Sequence, residues 1–330
     1  MSNISTGYMT AEQHSITNHI CVLPVGDLLN KEMGNWSTEE LKYCQYYYEN
    51  GQPLDTLFRS YIFDPIRIRD DYYIHAMHTG LGKQARISDW MLVIDHLFDE
   101  NVNLHALAQN TNEGEVTEIW VTIPYPHPLQ ENFGTVLEER LDFTSDEDRL
   151  KAIKWWIECF LLRWQKEERL HQKLALKGFV WQRSSINTGD EQIVKDTNDY
   201  IHQKGYLALW LFNYGSPGCA QWDTLNFDVA CANPNYYGNT EIDTNWIKNT
   251  TVFSQYYHTG IQISFGNGML FNHTHLYDYL NFGVSEGYMM SSLIAFQFPN
   301  QTMKKIYLNH PNEYKNMYLF TKKLYEPIQQ

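Results

Sequence analysis

Two apolar runs of the chain, Leu207–Phe212 and Phe227–Ala232, each end in planar amides beside tyrosines. Asn213 and Tyr214 close the first; Asn233, Asn235, Tyr236 and Tyr237 close the second. Amides beside aromatic rings suit a polyhydroxylated ring, because amides bond the hydroxyls at its edge while an aromatic face covers its apolar side. Ligands of α/β proteins sit outside the carboxyl ends of parallel strands. Carbohydrate is therefore the expected ligand class. A third cluster, Tyr125, His127, Gln130 and Asn132, follows the run Ile119–Ile123. It would line the same cleft, or stand on an exposed loop stiffened by Pro124, Pro126 and Pro128. Trp181, closing the run Leu176–Trp181, would stack under a sugar ring or plug the core.

Cleaving a glycosidic bond usually takes two carboxyl groups, about 5–5.5 Å apart for retention and about 6.5–9.5 Å apart for inversion. Asp64 is the best single candidate, and Glu131, in the loop after the third strand, is its expected partner. Asp27, Asp223 and Glu241 also fall near strand ends, while Asp190 and Asp243 are placed to cap helices. Asp228 reads as a buried structural group. Arg183 is expected in a salt bridge at the rim, with Asp64 or an acidic sugar as alternative partners. His75 with His78, and His273 with His275, have no supporting Cys or acidic residues, so neither a metal nor a cofactor is expected. Gly266-Asn267-Gly268 reads as a turn rather than a phosphate loop.

These groups need a scaffold, and the hydrophobic pattern supplies one. Strand-like runs at Ile20–Val25, Thr56–Phe63, Ile119–Ile123, Leu176–Trp181, Leu207–Phe212, Phe227–Ala232, Ile261–Phe265 and Met289–Phe298 alternate with helix-like segments. The helices are expected over Ser37–Glu49, Ser88–Gln109, Asp146–Lys173, Glu191–Lys204, Gly218–Leu225, Asn245–Tyr257, Leu276–Phe282 and Asn312–Tyr325. Ser37 followed by Glu40 is a capping box. Ile153, Trp156, Ile157, Phe160, Leu161 and Trp164 form one broad apolar stripe. Eight such alternations predict an α/β fold, a single closed (β/α)₈ TIM barrel over residues 19–330, preceded by a polar arm of residues 1–18. An open doubly wound sheet with an extra subdomain is the alternative.

The chain has 330 residues, 43% hydrophobic and 15% aromatic, with 23 Tyr, 10 Trp and a net charge of −14. That charge argues against nucleic acid, which is gripped mainly through Lys and Arg contacts to phosphate. No apolar run approaches the ~20 residues of a membrane helix. Five scattered cysteines without a C-x-x-C fit free thiols in a reducing compartment. The polar first 18 residues carry no signal peptide, so synthesis in the cytosol is expected.

The segments IWVTIPYPHPLQENFG, the Arg149–Trp164 helix before LKGFVWQRSSI, GYLALWLFNYGSPGCAQWDTLNFDVACANPNYY, GIQISF and GYMMSSLIAFQF resemble, in this order, the bacterial "domain of unknown function" family numbered 4855. The resemblance covers nearly the whole chain and implies a TIM barrel related to glycoside hydrolases. It also implies a glutamate shortly after the tryptophan of the fourth strand, where this chain has Gln182-Arg183-Ser184-Ser185. Acidic residues are similarly implied on the seventh strand, where Gln262 and Ser264 stand. Glutamine and serine have no proton to shuttle near neutral pH, although Gln182 and Gln262 retain the ability to bond a sugar hydroxyl.

Three functions follow as expectations. The first is a carbohydrate-binding barrel with weak or lost catalysis, a pseudoenzyme. The second is an active hydrolase using Asp64 and Glu131. The third is a structural protein that assembles with copies of itself, such as a spore-surface component deposited without secretion; Tyr46-Tyr47-Tyr48 and Tyr72-Tyr73 would then supply interface rings.

Overall fold

Strands that run parallel inside a barrel are buried on both faces and so read as unbroken apolar runs. Eight such runs form the closed sheet: β1 (Ile20–Val25), β2 (Ser60–Pro65), β3 (Thr117–Ile123), β4 (Leu174–Trp181), β5 (Leu207–Asn213), β6 (Val229–Asn233), β7 (Gly260–Ser264) and β8 (Ile294–Gln297). They hydrogen-bond in the order β1-β8-β7-β6-β5-β4-β3-β2 and back to β1. The chain is thus a (β/α)₈ barrel. The structure is a computed structural model that describes residues 7–26, 35–69, 72–75 and 82–328; Asp27 and His78 lie outside them.

Several element limits differ from the sequence expectation. The segment expected as one helix from Ser88 is two, Ile87–Leu97 and Asn103–Asn110. The first helix spans only Thr38–Gln45, with Ser37 Oγ accepting from the Glu40 amide. Tyr46–Glu49 then pairs as a strand with Gln52–Thr56. Tyr47 is buried there and stacks on Tyr318 at 4.0 Å, which corrects the helical placement of these tyrosines. Gly283 does not end a helix: His275–Ser285 continues through it, and a Cβ there would meet the Phe320 ring at 2.4 Å. Met289 belongs to a helical turn, Tyr288–Ser291, before β8. Between β5 and β6 the helix is a single 3₁₀ turn, Cys219–Gln221.

Register fixes which side chains face the barrel axis, because residues side by side in a parallel pair share a face. Ile20 lies beside Ser60 and Ala295, Ile62 beside Trp120, and Trp120 beside Gly178. Gly178 lies beside Leu207, Leu209 beside Val229, Cys231 beside Gly260, and Gln262 beside Ala295, which closes the circle. This set faces inward, since the alternate residues Phe179 and Phe296 pack on Phe160 and Phe320 of the outer helices. The Trp120 indole fills the middle of the barrel and donates to Ser60 Oγ at 3.2 Å. Opposite bulk is matched by lack of it: a Cβ on Gly178 would lie 1.9 Å from the Leu207 carbonyl oxygen.

The helix Asp146–Lys166 buries the expected stripe against the sheet, with Trp156 and Phe160 fully covered. Residues of the N-terminal arm pack across the strand starts. Met9 exchanges backbone hydrogen bonds with Thr259 and Leu293, and Glu118 at the start of β3 accepts from the Thr17 amide and Lys177. The opposite end, where the strands finish, is left for chemistry.

Candidate functional site

The last inward-facing residues of the strands are, in order, Pro24, Asp64, Thr122, Gln182 (one past β4), Asn213, Asn233, Ser264 and Gln297. Gln262 stands one layer below Ser264. Seven of the eight are neutral, five of them amides or hydroxyls besides the amide of Gln297 and the ring of Pro24. Asp64 is the one carboxyl in this ring.

Asp64 is recessed among other atoms yet keeps an accessible edge. Burial raises its pKa to about 7; the polar side chains of Thr122 and Gln182 beside it pull the other way without cancelling it. Near neutral pH it exists in both protonation states, able to donate or to accept. Glu131 is exposed on the loop after β3 and joins no cluster with Asp64 among the described residues.

The amides have individual duties. Gln182 ties the end of β4 to its neighbours, accepting from the Tyr125 amide in the loop after β3 at 3.2 Å and donating to the Pro65 carbonyl at the end of β2 at 2.7 Å. Gln262 donates to Gln297 at 2.8 Å. Asn213 donates to Ser184 Oγ at 3.1 Å, and Asn233 accepts from the Asn235 amide at 2.8 Å. Ser264 Oγ is fully buried and has no partner among the described residues. Asn235 adopts a left-handed backbone and accepts from the Tyr237 hydroxyl.

Other expected ligand contacts sit elsewhere. Trp181 shares its face with Phe179, points toward the helices and is 3% exposed, with its ring edge-on to Tyr125 at 5.9 Å. It belongs to packing, which corrects the stacking role. Tyr214 packs on Trp246 and Phe253. Tyr236 is buried and donates to Asp278 at 2.6 Å; burial and then that carboxylate raise its pKa, and burial raises that of Asp278. Gln130 is buried and donates to the Ala85 carbonyl. His127 is half-buried and Asn132 likewise. A cavity of about 180 Å³ beside them is lined by Tyr73, Gln84, Trp90, Tyr125, His127 and Gln130.

One cluster escaped the sequence. Asp190 makes no side-chain cap bond to its helix. Its carboxylate instead grips Arg149 Nη2 at 2.6 Å, Arg183 Nη1 at 3.2 Å and the Tyr125 hydroxyl at 2.7 Å. Arg149 is 2% exposed and also donates to the Pro126 carbonyl and to Asp146. Burial first, then Asp190, raises the Tyr125 pKa to about 12. The helical repeat held the clue: Arg149 precedes Ile153, Trp156 and Phe160 on the buried stripe. Arg183 forms the rim salt bridge that was expected of it, although with Asp190. Asp243 is not the N-cap, which is Thr244, but accepts from the Asn245 amide one residue further on, and Asp228 accepts from the Ala208 amide and faces His202.

Among the described residues no three His, Cys, Asp or Glu side chains are grouped to hold a metal. His275 is buried, with its Nε2 accepting from the Gly266 amide. No described helix is long and apolar enough to cross a membrane.

Fold and site together define a parallel (β/α)₈ barrel whose eight strand ends carry, among the described residues, a single inward carboxyl. The chain belongs to the family described as "Domain of unknown function (DUF4855)", whose model matches residues 25–323. Among solved structures it is similar to an endo-β-1,4-glucanase from Xanthomonas axonopodis pv. citri, at 10% identity and a TM-score of 0.47, over 93% of this chain and 99% of that one. It is also similar to a mutant tryptophan synthase α-subunit from Pyrococcus furiosus, at 10% identity and a TM-score of 0.42, over 93% and 96%. An intracellular xylanase from Thermoanaerobacterium saccharolyticum aligns at 9% identity and a TM-score of 0.39, over 84% and 85%. No protein of curated function matches the chain in sequence at a significant level.

Proposed function

We propose that this barrel binds a saccharide at its mouth and has weak or no capacity to hydrolyse it. The supporting observation is the ring of strand ends: the half-buried Asn213 and Gln297 and the edge of Asn233 offer amides above the buried Thr122, Gln182 and Ser264, and Asp64 is the one carboxyl of the ring. Hydrogen-bonding groups of both polarities match a sugar's hydroxyls, each of which donates and accepts. Hydrolysis by the usual route would take a second carboxyl on the other side of the scissile bond. Gln182 and Ser264 cannot supply it.

A second reading has one observation in its favour. A carboxyl with a pKa of about 7 is tuned as a general acid usually is, so Asp64 could protonate a leaving oxygen if Glu131 moved toward it on binding.

One experiment separates the two. Neutral and acidic oligosaccharides and polysaccharides are screened for binding, and the same mixtures are assayed for released reducing ends. The expected result is binding without turnover above the protein-free rate. Turnover that Asp64→Asn abolishes would transfer support to the hydrolase. Absence of binding to every glycan would overturn the saccharide reading.

A further inference from the structure

The half-exposed guanidinium of Arg183 is the feature of the rim that packing leaves unexplained. Its position is set on both sides. Gln182 before it bonds the end of β2 and the loop after β3, and Ser184 after it accepts from Asn213 at 3.1 Å. Arg183 therefore follows the inward Gln182 at the end of β4, on the rim of the mouth. Its own carbonyl accepts from the Trp210 indole at 2.7 Å, which fixes the backbone there.

Among the described residues only one nitrogen of the guanidinium meets an acceptor. Nη1 donates to the Tyr125 hydroxyl at 2.8 Å and to Asp190 at 3.2 Å, and the group lies over the Tyr125 ring at 5.4 Å from its centroid. Nε and Nη2 meet no acceptor among the described residues, and the side chain is 31% exposed. A guanidinium held by one corner presents its other edge in a fixed direction, and that edge is the fork that matches a carboxylate.

The local charge is unbalanced in the same sense. Asp190, 6% exposed, is shared between Arg183 and the buried Arg149. The second acid of the cluster, Asp146, bonds Arg149 from the far side and is 63% exposed to water. Two guanidiniums thus face one buried carboxylate at the end of β4. The effect of both arginines reaches the neighbouring His127, whose pKa is lowered by burial first and then by Arg183 and Arg149.

We propose, resting on the saccharide reading above, that the bound sugar is anionic and that the open edge of Arg183 takes its carboxylate as a forked pair. The net charge of −14 opposes any anion at long range. The preference must then be made by contact at this one side chain.

The test compares uronic-acid oligosaccharides with their methyl esters, which keep the sugar backbone and remove the charge. Several backbones are titrated against the intact chain, alongside neutral oligosaccharides. The acid is expected to bind at least tenfold more tightly than its ester for the backbone that fits. Arg183→Gln should erase that preference, and Arg183→Lys should retain part of it, since the charge stays and the fork goes. Equal affinity for acid and ester in the unaltered chain would overturn the proposal, as would a preference that survives Arg183→Gln. If neutral glycans bind and no acid exceeds its ester, the anionic ligand falls while the saccharide mouth stands. If nothing binds, the saccharide reading itself falls. Should Arg183→Gln fail to fold, judged by its melting curve, the acid-to-ester ratio of the unaltered chain decides alone.

Discussion

Arg149→Met is expected to lower folding stability by about 3–5 kcal/mol, the range found when one partner of a buried ion pair is removed. The loss follows from what remains behind. Asp190 would keep Arg183 but lose its 2.6 Å partner, and the Pro126 carbonyl would lose its donor. Methionine preserves most of the apolar stem, so the change reads the charge rather than a cavity. Denaturant unfolding checks it, with Lys151→Met as the comparison, because Lys151 pairs with Glu139 and Glu147 at the surface, where water screens such pairs and they contribute little. If the two variants lost equal stability, the cluster would not be the brace described.

The second large effect depends on pH. The Asp64 carboxyl rises from 3.8 to about 7 in the fold. Between these values the folded chain holds a proton that the unfolded chain has released, so stability contributed here is highest at low pH. It falls as pH rises from about 4 to about 7 and is level above that. A shift of this size corresponds to roughly 4 kcal/mol at 1.36 kcal/mol per unit; solvent at the accessible edge of Asp64 reduces it. Asp64→Asn is therefore expected to stabilise the chain at pH 8, on the order of 2 kcal/mol, and to leave it nearly unchanged at pH 4. Unfolding midpoints at pH 4, 6 and 8 give the comparison. A stability difference that ignores pH would mean that Asp64 is not the strained carboxyl of the mouth.

The barrel was legible because burial on both faces writes each parallel strand as an apolar run, and the helix over Asp146–Lys166 wrote its stripe plainly. Limits were harder where a run has no period. Tyr46-Tyr47-Tyr48 fits helix or strand equally, and only pairing with Gln52–Thr56 and stacking on Tyr318 decide it. The same property that reveals a barrel strand hides its inward face. Alternation tells that Trp181 and Phe179 share a face, but both faces of β4 are apolar. The register irregularity between Leu176 and Gly178 adds to this, since nothing in the local sequence shows where pairing shifts. Gln182, Asn213 and Asn233 stand at inward strand ends and Gln262 one layer below them, and Gln182 serves as a brace. Asp190 misled because an acid before a helix has a local explanation, and its true partners, Arg149 and Arg183, come from other elements.

Hydrogen–deuterium exchange of the chain with and without the tightest glycan from the screen gives the decisive comparison. If the mouth takes the sugar, amides in the loops that leave β3, β4, β5 and β6 should slow together, while the hairpin Tyr46–Thr56 at the other end should not. Protection confined to that hairpin, or to the cleft formed by Lys42, Tyr46, Tyr48, Gln109 and Asn110 beside it, would place the sugar at the wrong end of the barrel.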